Sequence, residues 1–188
     1  MSDNNLGNFF DAENFNDDAG DSDSENWKPV KQFGNELFKK AIDILNLTET
    51  ICDLLPGDGD DHAEITKRLM LENAMIVPAK IKGALGVDEV YSIVMESAVI
   101  IKVNICQLKA QLWACKAIHD VDEKYLEVLY DEIEKFKKIF IQWVSSFDKE
   151  NDLPDEWHLF NDPALFPDDD EPFDAKGFME NFDPEGDE

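Results

Sequence analysis

The sequence predicts an all-α protein, an up-and-down antiparallel four-helix bundle with acidic, largely irregular N- and C-terminal tails. Apolar residues recur at three- and four-residue steps in four segments, turns containing Pro, Gly or Asp separate those segments, and no alternating strand pattern competes. Because the connections have about three to eight residues, successive helices should be antiparallel neighbours. We expect one bundle domain over residues 27–147, between an acidic disordered tail over 1–26 and a second acidic tail over 148–188.

The first helix is predicted at about residues 30–55. It follows Trp27-Lys28-Pro29, and proline suits the opening turn of a helix because no N–H donor is needed there. The turn Pro56-Gly57-Asp58-Gly59 ends it, since Pro56 cannot continue a helix. The stripe expected to face the core consists of Phe33, Leu37, Ala41, Ile44, Thr48, Ile51 and Leu55.

The second helix is predicted at about residues 61–83. Asp61 and Glu64 have the spacing of a capping box, in which two side chains satisfy free N–H groups of the first turn. Pro78 should kink or end this helix, because proline removes a hydrogen-bond donor and crowds the carbonyl group of Ala74. The stripe expected to face the core consists of Ile65, Leu69, Glu72 or Asn73, and Ile76.

The third helix, at about residues 88–117 with Asp88 as its cap, carries the clearest apolar stripe of the chain. The fourth, at about residues 121–147, has capping-box spacing at Asp120 and Glu123. The expected core stripe of the third helix is Tyr91, Val94, Ala98, Ile101, Ile105, Leu108, Leu112 and Cys115. That of the fourth is Leu126, Leu129, Ile133, Phe136, Phe140, Trp143 and Phe147.

Most of the formal net charge of −26 belongs to the two tails. Residues 1–26 hold eight acidic and no basic residues, and residues 148–188 hold sixteen acidic and two basic residues. Such tails repel nucleic-acid phosphates and anionic membrane surfaces, because binding to either depends on Lys and Arg. We therefore expect no direct nucleic-acid binding and no membrane association, whereas a basic protein partner suits the charge.

The chain is predicted to be a soluble, cytoplasmic protein. Its first residues lack the positive region and the unbroken apolar region of a secretory signal. No apolar run reaches the ~20 residues that span a bilayer. The odd number of cysteines, Cys52, Cys106 and Cys115, all within apolar helical patterns, indicates reduced thiols that act as small hydrophobic side chains.

Aromatic residues are spaced through both acidic tails, which predicts an interaction role for these segments. Acidic segments with interspersed hydrophobic residues do not fold alone, but they can become ordered against a groove. An alternative stays open, in which residues 153–166 pack on the chain's own bundle, so we expect the C-terminal tail to be partly docked. The candidate partner-binding residues are Trp157, Phe160, Phe166, Phe173 and Phe178.

No catalytic, cofactor-binding or metal-binding residue is predicted, and the chain is expected not to be an enzyme. A di-metal centre in a helical bundle uses Glu-x-x-His motifs, and the sequence contains none. The acidic turn after the first helix resembles the start of a calcium loop but lacks the required Gly and Glu. No histidine has an evident route to a cysteine, because the histidines lie in separate turns and tails: His62, His119 and His158.

Residues 75–81, Met-Ile-Val-Pro-Ala-Lys-Ile, lie near the end of the second predicted helix, after an acidic turn and before a long third helix. With a Glu- and Leu-rich fourth helix over 125–140, this order resembles the four-helix-bundle proteins encoded in intervening sequences of bacterial 23S ribosomal RNA genes. It is also similar to the accessory variability proteins of diversity-generating retroelements. The resemblance implies a ring-like homo-oligomer, often a pentamer, that serves as a platform for a partner. Residues 147–161 resemble the end of uncharacterised Bacteroidetes bundle proteins, which carries no function with it.

Some positions depart from this family pattern. The family's arginine pair corresponds to Leu71 and Glu72, and its Asn and Glu correspond to Lys80 and Gly83. The basic surface that would support nucleic-acid contact is therefore not reproduced. The leading hypothesis is a non-enzymatic oligomeric scaffold or accessory protein that binds a protein partner, with tails that recruit or shield it. The alternatives are a nucleic-acid mimic that inhibits a basic protein, and an RNA-associated protein as in the family.

Overall fold

The computed structural model describes residues 28–57, 59–87, 90–153, 157 and 159–160. Over these residues the chain forms four α-helices and no strand, which confirms the predicted all-α fold. Residues 1–26, predicted as a disordered tail, lie outside the described residues. The chain divides into two units after Leu153, and all four helices belong to the first. The helices are α1 (Lys28–Cys52), α2 (Asp61–Leu85), α3 (Tyr91–His119) and α4 (Glu123–Ser145).

The helices pack in the order expected of an up-and-down bundle. Helix α1 contacts both α2 and α4, and α2 contacts α3, while α3 and α4 form the least closely packed pair. The stripes predicted for α1, α3 and α4 face the core, with Phe33, Tyr91 and Phe140 half-buried at its edge. The largest fully buried side chains are Trp143, Phe136, Leu37, Ile44, Leu45, Met70, Ile81, Ile101, Leu108, Leu129, Ile133 and Val30.

The predicted core face of α2 is wrong. Ile65 and Leu69 are exposed and Ile76 is half-buried, so the large apolar residues of the predicted stripe lie towards the outer side of the helix. Of the two alternatives Glu72 and Asn73, Asn73 is buried and Glu72 is exposed. The true core face contains small residues, which do not stand out as an apolar stripe but allow α2 to approach α1 and α3 closely. Pro78 lies on this face and does not end the helix, which continues to Leu85. The buried residues of α2 are Ala63, Met70, Asn73, Ala74, Val77, Pro78, Ile81 and Ala84.

Two predicted helix caps are displaced by one or two residues. The N-cap of α2 is Asp60 rather than Asp61, and its Oδ1 accepts hydrogen bonds from the N–H groups of residues 62 and 63 at 3.0 and 3.1 Å. The N-cap of α4 is Asp122, whose Oδ1 accepts from the N–H group of Lys124 at 3.1 Å. Asp120 instead ends α3 in the left-handed conformation, with φ of 53°. In each turn several acidic residues compete, and backbone geometry selects one.

Helix α3 receives its cap from a distant part of the chain. Val90 occupies the N-cap position without a side-chain hydrogen bond, and Asp88, the predicted cap, lies outside the described residues. The N–H group of Tyr91 donates to the carbonyl oxygen of Asn151 at 2.9 Å. The N–H group of Ser92 donates to Oδ1 of Asp152 at 3.0 Å. The segment after α4 therefore satisfies the free donors at the start of α3.

We expect Asp152→Ala to lower the free energy of unfolding by about 1 kcal/mol, because it removes a carboxylate acceptor from the positive end of a helix. Urea denaturation followed by circular dichroism measures this change. Asp131→Ala is the matched control, since Asp131 is exposed within α4. Equal losses in the two variants would contradict a capping role for Asp152.

Candidate interaction surface

Helix α3 has a second apolar face that is exposed to solvent. Its members follow each other at steps of three and four residues, the spacing of a single helix face, and none of them is charged. Trp113, the largest member, leaves 71% of its surface exposed, and Val103 leaves 46%. We call this face the outer stripe, and it consists of Val99, Val103, Cys106, Ala110, Trp113 and Ala117, all exposed.

The outer stripe gives α3 a second apolar face in addition to its core face. In the described part of the chain, α3 alone is long and apolar enough to cross a membrane by length and composition. Its most apolar 18-residue window is only 39% buried in the bundle. An apolar helix face is normally packed against another element. The stripe is ~27 Å long at 1.5 Å per residue, which makes it the candidate interaction surface of the described residues.

A groove follows the loosely packed seam between α3 and α4. It encloses about 350 Å³, and its floor includes the buried side chains of Ile105 and Phe136 together with half-buried Phe140. Three lysines stand along its edges. We call it the lysine-rimmed groove, and it is lined by Lys102, Ile105, Cys106, Lys109, Ile133, Glu134, Phe136, Lys137, Phe140 and Ile141.

The charges at the groove are organised around a single carboxylate. Nζ of Lys109 lies 2.6 Å from Oε1 of Glu134 and 4.2 Å from the centre of the Tyr130 ring. The hydrogen bond from Lys109 lowers the pKa of Glu134, and the same bond raises the pKa of Lys109. Lys137 is 3.8 Å from the other oxygen of Glu134. Among the described residues, Lys102 has no carboxylate within ion-pair distance. The groove lining therefore holds three lysines and one glutamate, which is an excess of positive charge.

The cysteines divide into two buried thiols and one exposed thiol. Burial raises the pKa of Cys52 to about 12 and that of Cys115 to about 11, so both thiols stay protonated at neutral pH and are poor nucleophiles. Cys106 is exposed in the outer stripe, whereas Cys52 and Cys115 pack in the core. A helical pattern alone does not tell which apolar face is buried. Cys106 is therefore the thiol that solvent reagents can reach.

The buried carboxylate of Glu132 is held by two lysines and forms part of the α1–α4 packing. Oε1 lies 2.6 Å from Nζ of Lys40, and Oε2 lies 2.8 Å from Nζ of Lys135. The hydrogen bonds from Lys135 and Lys40 lower the pKa of Glu132. Its oxygens are thus occupied by ammonium groups. Within the described ranges, no three His, Cys, Asp or Glu residues cluster closely enough to hold a metal ion.

We expect Glu132→Gln to lower the free energy of unfolding by about 2 kcal/mol near pH 7, because it removes a charged partner from two lysines. The pKa of Glu132 is lower in the folded state, so its contribution is present above the ordinary value of 4.5 and declines as pH falls through the folded value. Urea titrations from pH 7 to pH 3 should therefore show the difference between variant and wild type shrinking. A difference that grew towards low pH would contradict this assignment.

The structure describes two of the five predicted partner-binding residues. Trp157 is exposed over 83% of its surface, and Phe160 is partly buried. Phe166, Phe173 and Phe178 lie outside the described residues. The outer stripe and the groove were not predicted, although the steps from Val99 to Ala117 carry the signal for a second apolar face.

The resemblance to the intervening-sequence bundle proteins depends on residues 75–81 and on the order of the helices. Membership of that family stays a prediction. Comparison with protein-family models, curated proteins and solved structures finds no match for this chain.

Proposed function

We propose that this protein is a non-enzymatic, cytoplasmic helical-bundle scaffold or accessory protein that self-associates and binds a protein partner. The observation that carries the proposal is the outer stripe of α3, six exposed uncharged residues on one face of a long helix. A second copy of the chain can remove this face from water. Each buried Å² of apolar surface contributes about 25 cal/mol, against the entropy lost on association.

The composition of the outer stripe suits packing of one helix against another. Small residues at Cys106, Ala110 and Ala117 allow close approach, while Val103 and Trp113 supply apolar area. Helix pairs at this kind of contact lie about 8–10 Å apart. The ring of subunits implied by the family resemblance, often a pentamer, belongs to the proposal as its expected form.

The thiols, Glu132 and the acidic tails bear on the kind of activity that the protein has. The non-enzymatic role is supported by the raised thiol pKa values of Cys52 and Cys115 and by the two lysines that pair with Glu132. Three free thiols suit a reducing compartment such as the cytoplasm. The acidic, aromatic tails contribute to recruitment or shielding of the partner, and their charge suits a basic surface.

Sedimentation velocity of the purified full chain at several micromolar concentrations tests self-association. We expect a discrete oligomer whose mass is a small multiple of 21.5 kDa. A chain ending at Leu153 keeps the cap on α3 and should retain the same number of subunits. A strict monomer at all concentrations would overturn the proposal.

A further inference from the structure

We propose that the lysine-rimmed groove is the partner site and that it binds an acidic amphipathic helix of another protein. The proposal rests on the partner-binding part of the proposed function and names one site and the chemistry of the partner's segment that binds there. The seam between α3 and α4 is open, and the groove along it is rimmed by lysines although the protein is acidic. Two of these lysines also have the spacing of two helical turns.

The seam between α3 and α4 is the incomplete side of the bundle. The other three pairs of adjacent helices are closely packed, whereas here the aromatic layer of the core is reached from outside. The rings of Phe136 and Phe140 are stacked with centroids 6.2 Å apart, and Ile141 beside them is 55% exposed. An amphipathic helix that lays its apolar side chains into such a groove buries apolar surface on both partners.

The charge of the groove has the opposite sign to the charge of the chain. The chain carries −26, yet three ammonium groups and one carboxylate line the groove, and Glu134 is already paired with Lys109. Lys102 and Lys137 are exposed and stand on the two facing helices. Glutamate or aspartate side chains on both flanks of a bound helix would meet these ammonium groups, while a basic helix would be repelled.

The spacing of the lysines suits a helix better than a small anion. Lys102 and Lys109 are seven residues apart on α3, which corresponds to two turns and ~10 Å along the helix. Carboxylates seven residues apart on a helix running beside α3 have the same separation. The apolar floor between the two walls accepts side chains from the turns in between. A single small anion would reach only one of these two lysines.

The test uses the full chain and a fluorescent synthetic peptide of about 15 residues, with leucines on one helical face and glutamates on both flanks. A second peptide replaces every glutamate with lysine. Fluorescence anisotropy should show binding of the acidic peptide, weakened by added salt, and no binding of the basic one.

The decisive variant is Lys102→Glu with Lys137→Glu, which should weaken binding of the acidic peptide about tenfold or more. Lys39→Glu with Lys80→Glu makes the same charge change at exposed positions on α1 and α2 and should leave binding within about twofold. The proposal would be overturned if both double variants weakened binding of the acidic peptide equally. It would also be overturned if a correctly assembled oligomer of the wild-type chain did not bind this peptide. A changed subunit number in the groove variant would assign the groove to a second copy and would also overturn it. A monomeric wild type that still binds the acidic peptide would overturn self-association alone.

Discussion

Val103→Glu is expected to convert the assembled protein into folded monomers. Val103 lies in the middle of the outer stripe, and a glutamate there would be buried without a partner once two copies associate. An uncompensated buried charge costs several kcal/mol, so the dissociation constant should rise at least about a hundredfold. Sedimentation velocity gives the mass, and circular dichroism gives the helix content, which should not change.

Val128→Glu is a closely matched control for this variant. Val128 is also a helical valine, exposed over 52% of its surface compared with 46% for Val103, but it lies on α4 outside the stripe. The control should keep the wild-type mass, because the new charge stays in water. Dissociation of both variants would indicate a general charge effect. An unchanged mass for Val103→Glu would assign self-association to another surface.

Trp143→Ala is expected to lower the free energy of unfolding by about 3–5 kcal/mol. The Trp143 ring is fully buried and contacts Phe147 edge-on, with centroids 4.8 Å apart. It approaches α1 at Gly34, where an added Cβ would lie 3.1 Å from Nε1 of the indole. Alanine would leave a cavity between α1 and α4 that these neighbours cannot fill.

Trp143→Phe separates the loss of volume from the loss of the polar group. Within the described residues Nε1 of Trp143 has no hydrogen-bond partner, so replacing the indole by a phenyl ring removes an unsatisfied donor. We expect this variant to lose less than half as much stability as Trp143→Ala. Urea denaturation at one fixed protein concentration is required, because self-association contributes to apparent stability. A phenylalanine variant as unstable as the alanine variant would contradict this interpretation.

Most of the fold could be predicted because three helices place large apolar residues on one core face. The stripes of α1, α3 and α4 were identified correctly, since residues such as Leu37, Leu108 and Leu129 recur with helical spacing. The buried face of α2 was predicted wrongly because its large residues Ile65 and Leu69 are exposed, while alanines face the core. The period of a pattern reveals a helix, but the buried face depends on how closely its neighbours approach.

The candidate surfaces were harder to predict because they depend on tertiary structure. The outer stripe is visible as a second apolar series on α3, but the sequence does not tell which series faces the core. The groove has Lys102 and Lys109 on one helix and Lys137 on the next. Their proximity depends on how the two helices pack, so no spacing within the sequence indicates it. The prediction of aromatic partner-binding residues depends on composition alone, and of these residues Trp157 and Phe160 are among those described.

The contact that closes the start of α3 has a consequence for synthesis on the ribosome. The first amide groups of α3 find their acceptors at residues 151 and 152, about 60 positions later in the chain. The ribosome adds about 5–20 residues per second, so the acceptors are synthesised several seconds after these amide groups. During that interval α3 is incompletely capped and α4 is not yet packed beside it. We therefore expect the nascent chain to be most exposed to aggregation before α4 is complete.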